Sequence, residues 1–103
     1  MVGHKRSVLW SSDAHADLVR IWMYYQQVAG QSTAEKIIHD ITSACRLLED
    51  HPFAGRSRDD VRTGLRSIVT SPYVIFYRID KGETAEIVRV LDGRQDIEEI
   101  FAM

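Results

Sequence analysis

Arginine is the residue type whose number and placement in this sequence most clearly indicate a chemical role. Five arginines lie between residues 56 and 78, against only two aspartates. Arg66, Arg78 and Arg89 fall in three successive segments typical of β-strands, and Arg94 follows the last of them. A guanidinium group binds a phosphate or a carboxylate through paired hydrogen bonds. These arginines therefore predict a surface that binds an anionic group of a partner.

Cleavage of a phosphodiester at such a surface would need a base and an acid beside the cations. All four histidines precede the predicted strands, and no lysine lies within them. Asp92, Tyr77 and His51 are left as groups that could take a proton. The sequence thus favours a binding protein with no catalytic residue, and a ribonuclease stays open as the alternative. For any single arginine the simplest interpretation is a solvated side chain or an ion pair, such as Arg78 with Glu86.

Composition limits the class of protein. The chain of residues 1–103 fits one domain, and its net charge of −2 does not favour direct, specific nucleic-acid binding. It contains no apolar run of the roughly 18 residues that a membrane span needs, so we expect a cytoplasmic protein with no membrane association. The single cysteine, Cys45, can form neither an internal disulfide nor a thiolate cluster, and we expect it to be buried. No metal and no cofactor are predicted.

Two amphipathic helices are predicted before the arginine-bearing strands. Gly30 ends the first helix, and Ser32 with Glu35 has the spacing of a capping box that begins the second. Asp17 lies off the first apolar stripe and is expected on the outer face. The stripes comprise Ala14, Leu18, Ile21, Trp22 and Tyr25 in the first helix and Ile37, Ile38, Ile41, Ala44, Cys45 and Leu48 in the second. The short loop between the helices predicts an antiparallel hairpin.

Three β-rich segments follow, at residues 64–70, 73–79 and 85–91, and their short connections require antiparallel neighbours. Residues 7–10 read as an N-terminal edge strand and residues 96–101 as a short C-terminal helical turn. The predicted fold is α+β, with the helical hairpin packed on a three- to four-stranded, mainly antiparallel sheet. Tyr73 and Tyr77 share one face of their strand, while Val74, Phe76 and Arg78 share the other. Which face meets the helices is left open.

Several short motifs occur in a characteristic order and spacing along residues 8–101. They are Ala16-Asp17-Leu18 with Ile21 and Tyr25; Leu48, Pro52 and Gly55-Arg56; Gly64-Leu65-Arg66-Ser67; Tyr73 to Arg78; and Val88 to Leu91 with Asp96. In this combination the chain resembles the ParE branch of the ParE/RelE toxin superfamily. The resemblance implies a toxin that forms a hetero-oligomer with a cognate antitoxin, which neutralises it. It also implies DNA gyrase as the target, whereas the RelE branch cuts messenger RNA on the ribosome.

Two sets of binding residues are expected on these grounds. The residues expected to bind the target are Arg66, Arg78, Arg89, Arg94, Ile100 and Phe101, and those expected to bind the antitoxin are Tyr24, Arg66, Tyr73, Arg78 and Arg89. Many relatives have histidine where this chain has Asp92, and that departure disfavours the ribonuclease alternative. A third hypothesis, a non-toxic partner-binding or repressor subunit, is disfavoured by the acidic outer face predicted for the hairpin.

Overall fold

The helical hairpin forms as the apolar spacing predicts. In the computed structural model, which describes residues 7–102, the helices are α1 (Ser12–Ala29), α2 (Gln31–Asp50) and α3 (Ile97–Ala102). The Ser11 hydroxyl caps α1 by accepting a hydrogen bond from the Ala14 N–H at 3.0 Å. Gly30, with a φ of 92°, is the single residue between α1 and α2, and this left-handed conformation suits glycine. None of the helices within residues 7–102 is long and apolar enough to cross a membrane.

The start of α2 differs from the predicted capping box. The helix begins at Gln31, and Gly30 occupies the N-cap position, so that no side chain caps it. Ser32 therefore lies inside the first turn, and Glu35 accepts a hydrogen bond from Gln31 Nε2 at 2.8 Å instead. The prediction of a Ser32–Glu35 capping box was wrong, because a one-residue connection leaves no room for a separate cap.

The sheet has five strands in the order β1-β5-β4-β3-β2. These are β1 (Leu9–Trp10), β2 (Arg56–Ser57), β3 (Arg66–Thr70), β4 (Tyr73–Ile79) and β5 (Ala85–Asp92). β1 runs parallel to β5, and every other pair is antiparallel. The α+β class and the three central strands are confirmed. β2 was not predicted, because two residues are too few to show a period.

Both faces of the sheet are covered. Tyr73, Ile75 and Tyr77 pack under the helical hairpin, together with Ile41 and Leu48 of α2. On the opposite face the apolar cluster is formed by Leu65, Phe76, Leu91 and Phe101, with Val61, Val74, Val88, Ile97 and Ile100 packed against it. This assigns the face of β4 that the sequence left open, and it makes α3 the cover of the second face.

The connector between α2 and β3 is held by buried Tyr77. Its hydroxyl donates to the Pro52 carbonyl and accepts from the Gly55 N–H, both at 2.8 Å. A Cβ atom at Gly55 would lie 2.5 Å from that hydroxyl oxygen and 2.7 Å from the Ser67 carbonyl oxygen, so only glycine fits there. The predicted burial of Cys45 is confirmed, and burial raises the pKa of its thiol to about 12.

Candidate functional site

A crevice of about 430 Å³ opens between β5, the beginning of α1 and α3. Its lining consists of Ser11, Asp13, Arg62, Arg78, Glu86, Val88, Arg89, Ile100 and Phe101. Four of the six residues expected to bind a target, namely Arg78, Arg89, Ile100 and Phe101, thus line one crevice, although Phe101 is only 9% exposed and packs against Phe76. We call this set of nine residues the arginine crevice.

Arg89 reaches the crevice because the pairing of β5 with β4 shifts by one residue. Phe76 pairs with Arg89 and Tyr77 pairs with Ile87, so Val88 has no partner on β4. Such an extra residue bends a strand and redirects its side chains. The Arg89 guanidinium binds Asp17 of α1 through two hydrogen bonds, from Nε to Oδ2 at 2.8 Å and from Nη2 to Oδ1 at 3.0 Å. Hydrogen bonding to Asp17 raises the pKa of Arg89.

Asp17 joins α1 to the edge of β5. Its side chain is 1% exposed, and besides Arg89 it accepts a hydrogen bond from the Val90 N–H at 2.8 Å. The Arg20 guanidinium also binds this carboxylate. β1 ends at Trp10 and is too short to pair with Val90 of β5. The Asp17 carboxylate therefore accepts the hydrogen bond of the Val90 N–H in place of a strand carbonyl.

The prediction of an outward-facing Asp17 was therefore wrong. Asp17 follows Ala14 by three residues and precedes Ile21 by four, and both of those residues are buried. The helical period did contain the signal, since these spacings place all three on one face. An aspartate is nevertheless expected to be exposed, because burying a carboxylate without partners is costly. The partners of Asp17 lie 72 and 73 residues away in sequence, so the helix itself does not indicate them.

Arg78 and Arg62 also line the crevice. Arg78 Nε donates to Glu86 Oε1 at 2.6 Å, which confirms the predicted cross-strand pair. Arg62 Nη2 donates to the Phe101 carbonyl at 2.7 Å, and its guanidinium carbon lies 5.1 Å from the centre of the Phe101 ring. Arg62 was not among the predicted site residues, because it lies in the irregular connector, where no period indicates its direction.

The other two candidate arginines lie elsewhere. Arg66 Nε donates to the Gly55 carbonyl at 3.1 Å, and its guanidinium carbon lies 5.4 Å from the centre of the Phe53 ring. Arg66 therefore stabilises the connector between α2 and β3. Arg94 binds Asp92 through two hydrogen bonds of 3.0 and 2.7 Å in the turn after β5. The four arginines predicted from the sequence do not share one surface.

The groups considered as bases are all outside the arginine crevice. Hydrogen bonds from the Arg94 side chain and then from its backbone N–H lower the pKa of Asp92 to about 2. The Tyr77 hydroxyl is buried between Pro52 and Gly55. His51 ends α2 beside Leu47 and Phe53. Within residues 7–102, no group of three or more His, Cys, Asp or Glu side chains is placed to hold a metal ion.

The residues expected to contact an antitoxin differ in accessibility. Tyr24 is 58% exposed on α1 and forms an edge-to-face contact with Tyr25, their ring centres 5.1 Å apart. Tyr73 is only 8% exposed, and its hydroxyl donates to that of Tyr25 at 3.4 Å. Burial raises the pKa of Tyr73. Tyr24 is thus free to meet a partner, whereas Tyr73 supports the core beneath it.

Comparison with known proteins places this architecture in a family. The family model for the ParE toxin of the type II toxin-antitoxin system, parDE, matches residues 8–97. The chain is 33% identical over 81 residues to Toxin ParE1 of Caulobacter vibrioides, covering 79% of this chain and 82% of that protein. It is 31% identical over 90 residues to Toxin ParE1 of Mycobacterium tuberculosis, covering 87% of this chain and 92% of that protein.

A solved structure shows the same fold. The chromosomal ParDE TA system from P. aeruginosa contains a chain that matches with a TM-score of 0.74 and 27% identity, covering 87% of this chain and 98% of the other. The family-model match over residues 8–97 includes the elements that build the arginine crevice up to the beginning of α3. The chain belongs to the ParE toxin family of type II toxin–antitoxin systems.

Proposed function

We propose that this toxin acts in the cytoplasm by binding and inhibiting DNA gyrase, and that a cognate antitoxin neutralises it by forming a hetero-oligomeric complex. Gyrase as the target rests on the resemblance of the sequence to characterised ParE toxins. The observation that carries the binding role is the arginine crevice, which gathers Arg78, Arg89, Ile100 and Phe101. Arginine and aromatic side chains supply a large share of the energy of protein interfaces.

The surroundings of the crevice support binding rather than catalysis. A ribonuclease would need a base within hydrogen-bonding reach of the ribose hydroxyl. Asp92 is held by Arg94 with a pKa of about 2, which makes it a weak base, and the Tyr77 hydroxyl is engaged inside the core. Two carboxylates, those of Asp13 and Glu86, line the crevice itself. Glu86 accepts a hydrogen bond from Arg78.

Neutralisation by an antitoxin is supported by two observations. The solved structure with the same fold is that of a ParDE system. In addition, α1 carries four exposed apolar side chains within ten residues, namely Val19, Met23, Tyr24 and Val28, each between 46% and 59% exposed. Several exposed apolar side chains on one helix favour a surface that a protein partner covers. We propose that the antitoxin covers this outer face of α1, where Tyr24 is the accessible member of the predicted set. Arg78 is also exposed but lies in the arginine crevice, on the other face of the sheet.

Inhibition of gyrase-catalysed supercoiling tests the target. Wild-type protein at micromolar concentration should block supercoiling, and Arg78→Gln should weaken the block at least tenfold, since a charge-assisted hydrogen bond contributes about 1.5–3 kcal/mol. Arg46→Gln is the matched control, because Arg46 is exposed on α2, outside the crevice. A wild-type protein without effect on gyrase would overturn the target assignment.

Co-expression with the neighbouring short reading frame tests the antitoxin. A co-purifying complex with a raised melting temperature is expected, because a partner that binds only the folded state stabilises it. Substitution of Met23 by Glu on the outer face of α1 should disrupt this complex and leave the fold intact. Separate elution of the two proteins would contradict the proposal.

A further inference from the structure

We propose that the arginine crevice is a binding site for one acidic side chain of a protein segment, with an apolar side chain of the same segment packed beside it. The inference rests on the proposed binding role of the crevice and does not require gyrase to be the partner.

The charge balance admits one anion. Arg62, Arg78 and Arg89 line the crevice, and Arg20 binds Asp17, which is also the partner of Arg89. Three carboxylates oppose them, namely Asp13, Asp17 and Glu86. Four guanidinium groups against three carboxylates leave an excess of one positive charge, which a single carboxylate would neutralise.

Arg62 is one of the cations that contribute to that excess. It has no carboxylate partner within residues 7–102, since its hydrogen bond goes to the Phe101 carbonyl. Arg78 binds Glu86 through Nε alone, and its side chain is 67% exposed, so its two Nη groups face solvent. A guanidinium offers five N–H donors, and a carboxylate accepts from two of them at once. Donors for an incoming carboxylate are therefore present on two residues of the lining.

Part of the lining is apolar. Val88, Ile100 and Phe101 line the crevice and belong to the cluster beneath α3. Their exposed atoms offer a surface to an aliphatic side chain next to the acidic residue. A crevice of about 430 Å³ has room for two side chains of ordinary size rather than for a folded element.

A nucleic acid fits this site poorly. Its backbone presents a phosphate at every nucleotide, and binding it requires several uncompensated cations along a track. The crevice has an excess of one positive charge, and Asp13 and Glu86 in its lining would repel the flanking phosphates. The charge pattern thus favours a peptide over an RNA or DNA strand.

Nuclear magnetic resonance of the full-length ¹⁵N-labelled protein tests the inference with defined probes. The acidic probe is the peptide acetyl-Leu-Glu-Leu-amide, its matched control is acetyl-Leu-Gln-Leu-amide, and a single-stranded oligonucleotide is the third arm. The acidic peptide should shift the Nε–H signals of Arg62 and Arg78 and bind roughly tenfold more tightly than the glutamine peptide. Arg78→Gln should weaken that binding by a similar factor, whereas Arg46→Gln should not change it.

Three outcomes would overturn the inference. These are the absence of binding by the acidic peptide, equal binding of the two peptides, and tighter binding of the oligonucleotide to the same two arginines. Unfolding of Arg78→Gln would be detected by circular dichroism, and the peptide comparison on wild-type protein decides the matter in that case. Gyrase is absent from the assay, so peptide binding without inhibition of supercoiling would leave the inference standing and overturn only the target.

Discussion

Two arginine–aspartate pairs in this protein have the same chemistry and different surroundings. In each, a guanidinium binds a carboxylate through two hydrogen bonds of 2.7 to 3.0 Å. Arg89 and Asp17 lie 72 residues apart in sequence, and Asp17 is 1% exposed. Arg94 and Asp92 lie in one turn, and the Arg94 side chain is 85% exposed. The first pair ties a helix to a strand, whereas the second shapes only a turn.

The difference predicts that burial determines the effect of such a pair on stability. A carboxylate removed from water depends on its partners, and the loss of one partner leaves an uncompensated charge or donor. When one partner of an exposed pair is removed, water solvates the other, and the free energy of unfolding changes little. Asp17 also holds Arg89 in the arginine crevice, so the buried pair connects the stability of the fold to the binding surface.

The largest effect is expected from Asp17→Asn. The amide keeps the size of the side chain but turns an NH₂ group toward the Arg89 and Val90 donors. Loss of one member of a buried pair costs about 3–5 kcal/mol of unfolding free energy. Urea unfolding measures the change, with Asp92→Asn as the exposed counterpart. Equal stability of the two variants would refute the distinction between the pairs.

An intermediate effect is expected from Tyr77→Phe, which tests a buried but uncharged hydrogen-bonding group. The substitution leaves the Gly55 N–H and the Pro52 carbonyl without their partner. We expect a loss of about 1–3 kcal/mol by urea unfolding. A loss as large as that of Asp17→Asn would mean that burial alone, and not charge, sets the cost.

The smallest effect on stability is expected at the exposed pair, where the titration of Asp92 is the sensitive measurement. The carboxyl carbon signal should titrate with a pKa of about 2 in the wild type and move toward the ordinary value of 3.8 in Arg94→Gln. Because the folded pKa is lowered, the stabilisation is present above about pH 4 and is lost as the pH falls toward 2. Because solvent screens this exposed pair, its contribution to the free energy of unfolding is small. An unchanged pKa in Arg94→Gln would contradict the pairing.

The two regions also show what the sequence reveals. The helices and central strands follow from apolar periodicity, and the Arg78–Glu86 pair follows from the antiparallel register, because both signals are local. Long-range contacts are harder to predict from local patterns. The burial of Asp17 depends on a strand 72 residues away, the direction of Arg62 depends on α3, and the path of Arg89 depends on a register shift at Val88. The sequence therefore predicted which types of residue form the site, but it predicted only part of their location in the fold.

Growth arrest after induction in cells separates binding from catalysis most directly. Asp92→Asn should arrest growth as the wild type does, because Asp92 lies outside the arginine crevice and is held by Arg94. Arg78→Gln, confirmed as folded by circular dichroism, should arrest growth less, because it removes a donor from the crevice. A folded Asp92→Asn variant that has lost its toxicity, with full toxicity in Arg78→Gln, would contradict the account and restore the catalytic alternative.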